Sequence, residues 1–272
     1  MSYKVILVHL EHALSMQKCV EVAITLANQE DAHLVGVATT GISRFVYNDH
    51  SDLFDKAIAT LTERAKQLLD DFEGVCRTAG VRSYETKLIH DDAAAGLIEP
   101  ARYCDLVIVS QAAQETIQLI SPIPEYVMLN SARPVLVIPN KGKPVQLDGH
   151  ILISWNESPE ATRAITYALP LLKRAREITV GIFQSSSRYG VLSNPPGSDV
   201  ATWLGRHGIN VDIVEEYLRK DIDEAILELA AQRESGLIVM GGYGHARFRE
   251  LFVGGATIDI LNNSTIPILI AH

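Results

Sequence analysis

The sequence predicts two α/β domains in tandem, each built on a five-stranded, mostly parallel sheet with helices on both faces. Short runs rich in Val, Ile and Leu alternate with helical patterns, as in βαβ units. A buried strand, a polar turn and an amphipathic helix open the chain at residues 4–27 and return at 150–172. Between the halves, "NKGKPVQLDG" has the glycine, proline and charge of an exposed linker. Domains are therefore expected at residues 1–140 and 149–272.

Each half contains five apolar runs of strand length. In the first half the predicted strands cover residues 4–10, 33–38, 83–89, 106–109 and 135–138. A long helix over about 52–79 is expected to bury a face that includes Leu53, Ala57, Leu61, Leu68, Phe72 and Val75.

The second half repeats this order with one replacement. Its predicted strands cover residues 151–155, 178–183, 211–217, 237–240 and 266–271. A Ser, Pro and Gly-rich stretch replaces the long helix and permits only a short one near 199–206. Ser158 and Pro159 predict an N-cap and first helical residue, and Asp221 with Glu224 predicts a capping box.

Composition limits the classes of partner. The 272 residues carry a formal net charge of −9 and are 47% hydrophobic. A negative field repels nucleic acid and anionic lipid, so we expect neither as a partner, and any bound phosphate must be held by local groups. No apolar run approaches the length of a membrane span, and the N-terminus lacks signal-peptide features. A cytoplasmic location and a small ligand are expected.

Cysteine and histidine patterns do not indicate a metal site. Cys19, Cys76 and Cys104 are odd in number and lack CxxC spacing, so we expect reduced, buried thiols. His9 and His12 in "HLEH" lack the spacing of helical zinc ligands. No metal held by protein ligands is predicted.

A glycine-rich segment follows the fourth predicted strand of the second half. Gly241, Gly242 and Gly244 come directly after "LIVM", and Gly254 and Gly255 follow nine residues after Gly244. In open α/β sheets, ligands bind beyond the carboxyl ends of the strands, where strand order reverses. There, a glycine turn and a helix start present N–H groups to phosphate oxygens. His245 and Arg247 add positive charge nearby.

The same glycines are also compatible with a tight strand-to-helix connection that binds nothing. Asn156, after the first strand of this half, is equally compatible with ligand contact and with turn formation. Neither GxGxxG nor the GK[ST] of a P-loop is present, so hydride transfer and vigorous NTP hydrolysis are not indicated. With no general base or Mg²⁺-holding carboxylate evident beside the glycines, at most slow ATP hydrolysis is expected.

The spacing Gly241, two residues, Gly244, nine residues, Gly254 resembles the nucleotide-binding universal stress proteins, and the chain resembles their tandem bacterial form. The resemblance implies Rossmann-like domains of the adenine nucleotide alpha hydrolase-like kind, a homodimer, and an ATP or AMP site in the second half, with Mg²⁺ as a further candidate. It implies that the site is lined by Met240, Gly241, Gly244, Gly254, Gly255 and Ala256.

Two residues depart from that family pattern. Gly255 stands where the family has Ser or Thr, although Thr257 lies two residues on, and Asn156 replaces the family's Asp. An amide still forms hydrogen bonds but brings no charge. We therefore expect binding that is weakened or altered.

The first half departs further from the pattern. Ser110, Ala113 and Ser121 stand where the second half has its glycines, and Glu11 stands in place of the Asp. "SPIPE" adds prolines, which lack N–H groups. We expect this half to have lost phosphate binding.

Three functional hypotheses follow. The first is a stress-response sensor or regulator that binds ATP, ADP or AMP in its second domain, with Asn156 orienting the nucleoside and His245 or Arg247 assisting the glycines. The second is a nucleotide-free tandem scaffold for proteins or an apolar ligand. The third is an enzyme of the wider adenine nucleotide alpha hydrolase-like group.

Overall fold

The computed structural model describes residues 2–43, 52–112, 122–184, 197–218, 221–242 and 255–272, with side chains described from residue 55 in the second range. The chain divides into two compact units, Ser2–Lys141 and Gly142–His272. Each unit contains a parallel five-strand sheet in the described residues, so the predicted fold class is confirmed.

The first unit orders its strands β3-β2-β1-β4-β5, and these neighbours pair in parallel. Its elements are β1 (Val5–Leu10), α1 (Met16–Glu30), β2 (His33–Thr39), α2 (Asp52–Thr78), β3 (Tyr84–Ile89), α3 (Ala93–Gly96), α4 (Ile98–Ala101), β4 (Leu106–Ser110), α5 (Ile123–Ser131) and β5 (Val135–Ile138). All five predicted strands are present, with ends shifted by at most one residue.

The second unit repeats this strand order as β8-β7-β6-β9-β10. Its elements are β6 (His150–Trp155), α6 (Pro159–Leu172), β7 (Glu177–Gln184), α7 (Ser198–Arg206), β8 (Asp212–Tyr217), α8 (Ile222–Gln232), β9 (Leu237–Gly241), α9 (Gly255–Asn263) and β10 (Ile268–Ala271). The short helix near residues 199–206 is confirmed as α7. The five strands of the second unit also match the predicted strands, and β10 starts two residues later than predicted.

The core of each unit lies on both faces of its sheet. Every residue of β4, β5 and β10 is buried, because helices cover parallel sheets on both sides. The predicted face of α2 needs correction, since Val75 is 46% exposed and Ala57 is also exposed. The buried residues of α2 are Ala65, Leu68, Leu69, Phe72 and Cys76. They follow the i, i+3, i+4, i+7 spacing of one helix face.

The start of α6 is formed as predicted. Ser158 is the N-cap, and its Oγ accepts a hydrogen bond from the Ala161 N–H at 3.1 Å. Pro159 occupies the first helical position, where its missing N–H costs nothing. Asp221 likewise takes the N-cap position of α8, but its side chain makes no capping hydrogen bond, so the predicted capping box is wrong.

All three thiols are free and buried, in agreement with the sequence prediction. Burial raises the pKa of Cys19 to about 12 and the pKa values of Cys76 and Cys104 to about 11. Because the thiolate is the reactive form, we expect no labelling by a disulfide reagent in native protein near neutral pH, and three thiols per chain after unfolding. Absorbance of the released thiol measures this, and rapid labelling of native protein would contradict it.

None of the described helices combines the length and the apolarity that a membrane span requires.

Candidate functional site

The candidate site lies where strand order reverses in the second unit. The chain runs from β6 outward to β7 and β8, and then returns to place β9 on the other side of β6. Ile153 pairs with Val239 and Ser154 with Met240, so the two strands end at the same edge. The turn at 156–158 therefore starts beside Gly241, at the end of β9. Crevices of this kind hold ligands in open α/β sheets.

Gly241 is in close contact with the first turn of α6. A Cβ placed on Gly241 would lie 2.5 Å from the Ala161 nitrogen and 2.7 Å from the Glu160 carbonyl carbon. Both are backbone atoms, and real Cβ atoms do not approach so closely. Glycine is therefore required here for packing between helix and strand, whatever else the segment does.

Gly242 extends the pairing of β9 with β10. Its N–H donates to the Ala271 carbonyl at 2.9 Å, and its own carbonyl lies 3.1 Å from the His272 Nδ1. This N–H group is thereby used within the protein.

Asn156 shapes the turn between β6 and α6. Its Oδ1 accepts a hydrogen bond from the Ser158 N–H at 3.2 Å, and Glu157 between them has a left-handed φ of 63°. Such Asx turns are a common use of asparagine. Asn156 is exposed at the mouth of the crevice, with its amide oxygen engaged in the turn.

The structure describes the remaining predicted site residues in part. Met240 is buried on β9, and Gly255, Ala256 and Thr257 form the first turn of α9. Gly255 is exposed, and a Cβ there would meet only Asp259 Oδ2 at an ordinary 3.7 Å. Thr257 is buried. The predicted site residues outside the described ranges are Gly244, His245, Arg247 and Gly254.

The corresponding edge of the first unit has a serine where the second unit has Gly241. Ser110 ends β4, and its Oγ lies 3.5 Å from the Cys19 Sγ on α1. Five residues, 11–15, separate β1 from α1, whereas three separate β6 from α6.

A hydrogen-bonded network of side chains ties the ends of this first-unit sheet together. Ser15 Oγ donates to Asn140 Oδ1 at 2.9 Å, and the Asn140 N–H donates to Gln111 Oε1 at 3.0 Å. Asn140 Nδ2 also donates to the Gln111 carbonyl at 3.1 Å. These contacts hold the loops after β4 and β5 to the start of α1 with the protein's own groups.

Glu160 is a residue of the second-unit crevice that the sequence did not single out. Its Oε2 is buried without a hydrogen-bond partner among the described residues, and its Oε1 lies 3.9 Å from an Arg163 nitrogen. An acidic residue in a first helical turn ordinarily indicates only a favourable interaction with the helix dipole. No sequence pattern therefore distinguished it.

His150 forms a second unforeseen feature, at the opposite edge of the same sheet. Its Nδ1 lies 2.8 Å from Ser235 Oγ and its Nε2 lies 2.9 Å from Thr179 Oγ1. The ring is only 4% exposed. Burial, followed by the charge of Arg233, lowers its pKa. This network joins β6 and β7 to Ser235, two residues before β9.

The strand order and the helix start packed on Gly241 define an open parallel α/β domain. Residues 149–272 match the model of the universal stress protein family. This segment therefore belongs to that family, which confirms the resemblance given by the glycine spacing.

Further comparisons agree with this assignment. A universal stress protein of Synechocystis, Slr1230, is 32% identical over 66 residues, which cover 24% of this chain and 22% of that relative. A crystal structure of a universal stress protein from Archaeoglobus fulgidus aligns with 98% of this chain and 95% of its own, with a TM-score of 0.78 and 18% identity. A functionally unknown protein of Pseudomonas aeruginosa PAO1 aligns over 99% and 92%, with a TM-score of 0.63 and 16% identity. These two structures share the tandem fold.

Proposed function

We propose that the second unit binds an adenine nucleotide, ATP, ADP or AMP, and that the protein is a cytoplasmic sensor or regulator of the stress response, acting as a homodimer. The observation that carries the proposal is the spacing of Gly241, Gly244 and Gly254 in the sequence, which starts at the end of β9 beside the end of β6. A glycine loop and a helix start at such an edge suit phosphate oxygens.

The geometry divides the glycines by role. Gly241 is needed for helix packing and the Gly242 N–H already pairs with Ala271, so we assign phosphate contact to Gly244, Gly254 and the start of α9 at Gly255 and Ala256. His245 and Arg247 would assist by their charge. Mg²⁺, where it takes part, would come with the nucleotide phosphates. We propose binding, with at most slow hydrolysis of ATP.

Calorimetric titration with ATP, ADP and AMP tests this proposal. Saturable binding of at least one nucleotide is expected, together with a rise in melting temperature, because a ligand that prefers the native state stabilises it. Gly244→Arg is expected to abolish both effects by placing a large side chain in the glycine loop. Gly205→Arg is a matched control, since a Cβ at Gly205 on α7 meets nothing within 4 Å.

A nucleotide-free scaffold is the second candidate function. It is favoured by the finding that Gly241 is required for packing against α6 and that the Gly242 N–H is already bonded to Ala271. Two results together would overturn the first proposal in favour of the scaffold. The intact protein would show no saturable nucleotide binding, and Gly244→Arg would not change the melting temperature measured with added ATP.

A further inference from the structure

Glu125 is a buried carboxyl group of the first unit, remote from the candidate site of the second. It lies in the first turn of α5 and is only 6% exposed, on the helix face that also buries Val127, Met128 and Ser131. Its Oε2 is buried and has no hydrogen-bond partner among the described residues. A charged oxygen in that position is costly, because neither water nor a donor group replaces its lost hydration.

The elements packed against α5 bring no cation to Glu125. These elements are α3, α4, β4 and β5. No residue of α3, β4 or β5 is titratable, and the one titratable residue of α4 is Glu99, which is exposed and of the same sign. Asp92, the N-cap of α3, is a further carboxylate. Arg133 and Arg102 lie beyond the other ends of α5 and α4, where the Arg133 Nη2 donates to the Arg102 carbonyl at 2.7 Å.

Strand β1 contributes one titratable side chain to the same side of the sheet, His9. It pairs with Val37 on β2, and Thr39 of that strand is covered by α3, since a Cβ on Gly96 would lie 3.3 Å from the Thr39 Cγ2. Alternate residues of a strand share a face, so His9 points toward the α3 and α5 layer. Its ring is 1% exposed, neither nitrogen is hydrogen-bonded, and Nδ1 lies 3.7 Å from Glu11 Oε1. The histidine is therefore not paired with the glutamate of α5.

We infer that Glu125 is a proton-dependent latch of the first unit: as a neutral acid it keeps the first turn of α5 packed on the sheet, and loss of its proton to water releases that turn. Burial raises the pKa of Glu125 above the ordinary 4.5, and the opposing effect of its own backbone N–H is smaller. As the pH rises from 4.5, the released turn therefore loses the proton before the packed turn does, and the packed form loses stability up to the raised pKa. This inference goes beyond nucleotide binding and does not depend on it.

Hydrogen–deuterium exchange of the intact protein tests this latch, measured on peptides that cover α5 between about pH 5 and about pH 8. The Tyr126 N–H donates to the Pro122 carbonyl at 3.1 Å, so its protection reports on the first turn. After correction for intrinsic exchange, protection should fall as the pH rises, by up to tenfold per pH unit, the limit for release of one proton. Glu125→Gln keeps the shape without the charge, so its protection should stay level and exceed that of the parent at the upper pH.

Glu99→Gln is the matched control, because it removes an exposed glutamate from the neighbouring helix α4. Its pH profile should follow that of the parent. A level profile in the parent, or the same falling profile in Glu125→Gln, would overturn the inference.

Carbon-13 NMR titration of the glutamate carboxyl groups gives a second measurement on the unsubstituted protein. One carboxyl signal is expected to titrate above the ordinary pKa of 4.5 and to be absent from the spectrum of Glu125→Gln. If every glutamate titrates at or below that value, or if the raised signal persists in the variant, Glu125 is not the latch. A raised signal together with level protection of α5 would show that Glu125 holds a proton without holding the helix, which also contradicts the inference.

Discussion

A Gly241→Ala variant is expected to lose about 3 kcal/mol of stability in the second unit, as for an overpacked core. The added methyl group would lie 2.5 Å from the Ala161 nitrogen and 2.7 Å from the Glu160 carbonyl carbon. Backbone atoms cannot rotate away, so the first turn of α6 must move off the end of β9. Tryptophan fluorescence during urea unfolding measures this loss, because Trp155 and Trp203, the chain's two tryptophans, both lie in the second unit.

Gly205→Ala is the matched control for this variant. Gly205 lies within α7, and a Cβ there meets no atom within 4 Å. Alanine in a helix is favoured over glycine by roughly 0.5–1 kcal/mol, so this variant should be slightly more stable than the parent. Equal unfolding midpoints for Gly241→Ala and the parent would show that α6 does not need glycine at the end of β9.

Replacing His150 by leucine is expected to cost about 3 kcal/mol in the same unfolding assay. Ser235 and Thr179 are both buried, and each would lose the ring nitrogen to which it hydrogen-bonds. Leaving such hydroxyls unpaired costs roughly 1–3 kcal/mol each. A triple variant that adds Ser235→Ala and Thr179→Val should recover much of the loss, because it removes both orphaned hydroxyls. No recovery would show that the loss comes from side-chain packing instead.

The same histidine is expected to make the stability of the second unit depend on pH. Burial lowers the pKa of His150 in the folded state from the ordinary value of 6.5. Above pH 6.5 the His150 ring is mainly neutral in the folded and the unfolded state. Below pH 6.5 the ring is protonated to a greater extent in the unfolded chain than in the folded protein. Stability should therefore fall as the pH drops from 6.5 through the lower folded-state pKa. The urea midpoint of the parent should be lower at about pH 5 than near pH 7, and His150→Leu should reduce that difference. If the difference is unchanged in the variant, groups other than His150 cause the pH dependence.

Strand positions were predictable because the buried runs are short, apolar and bounded by polar turns. β4 and β5 illustrate this, since every residue in each strand is buried. The two apolar runs are five and four residues long, which is too short for a helix of ordinary length. The place of the crevice depended on the condition that β9 lies beside β6, and the pairing of these two strands meets that condition. The location of the crevice could therefore be predicted before its contacts were known.

The buried face of α2 was predicted less well. The helix is 27 residues long, and apolar residues such as Ala57 and Val75 occur outside its buried stripe. Over that length the pattern of apolar residues is compatible with more than one choice of the helix face that is buried. Only packing against the sheet, as between Phe72 and Gly36, determines which face turns inward.

The chemistry of the candidate site was predictable in outline only. A glycine pattern shows where a side chain is not tolerated, but it does not show whether a ligand or the protein itself occupies the space. At Gly241 the neighbour is the backbone of α6. The unpaired oxygen of Glu160 had no sequence signal, because burial and the absence of a partner arise only from the tertiary structure.

The central strand pair of the first unit joins segments that are far apart in the chain. Asp105, just before β4, accepts hydrogen bonds from the N–H groups of Lys4 and Val5, 101 and 100 residues away. Contacts of such high sequence separation form slowly, since a long loop must close before any of them is gained. During synthesis, β1 must therefore wait for most of its domain to leave the ribosome before it gains its second neighbour, and that interval is when this unit is most exposed to chaperones and proteases.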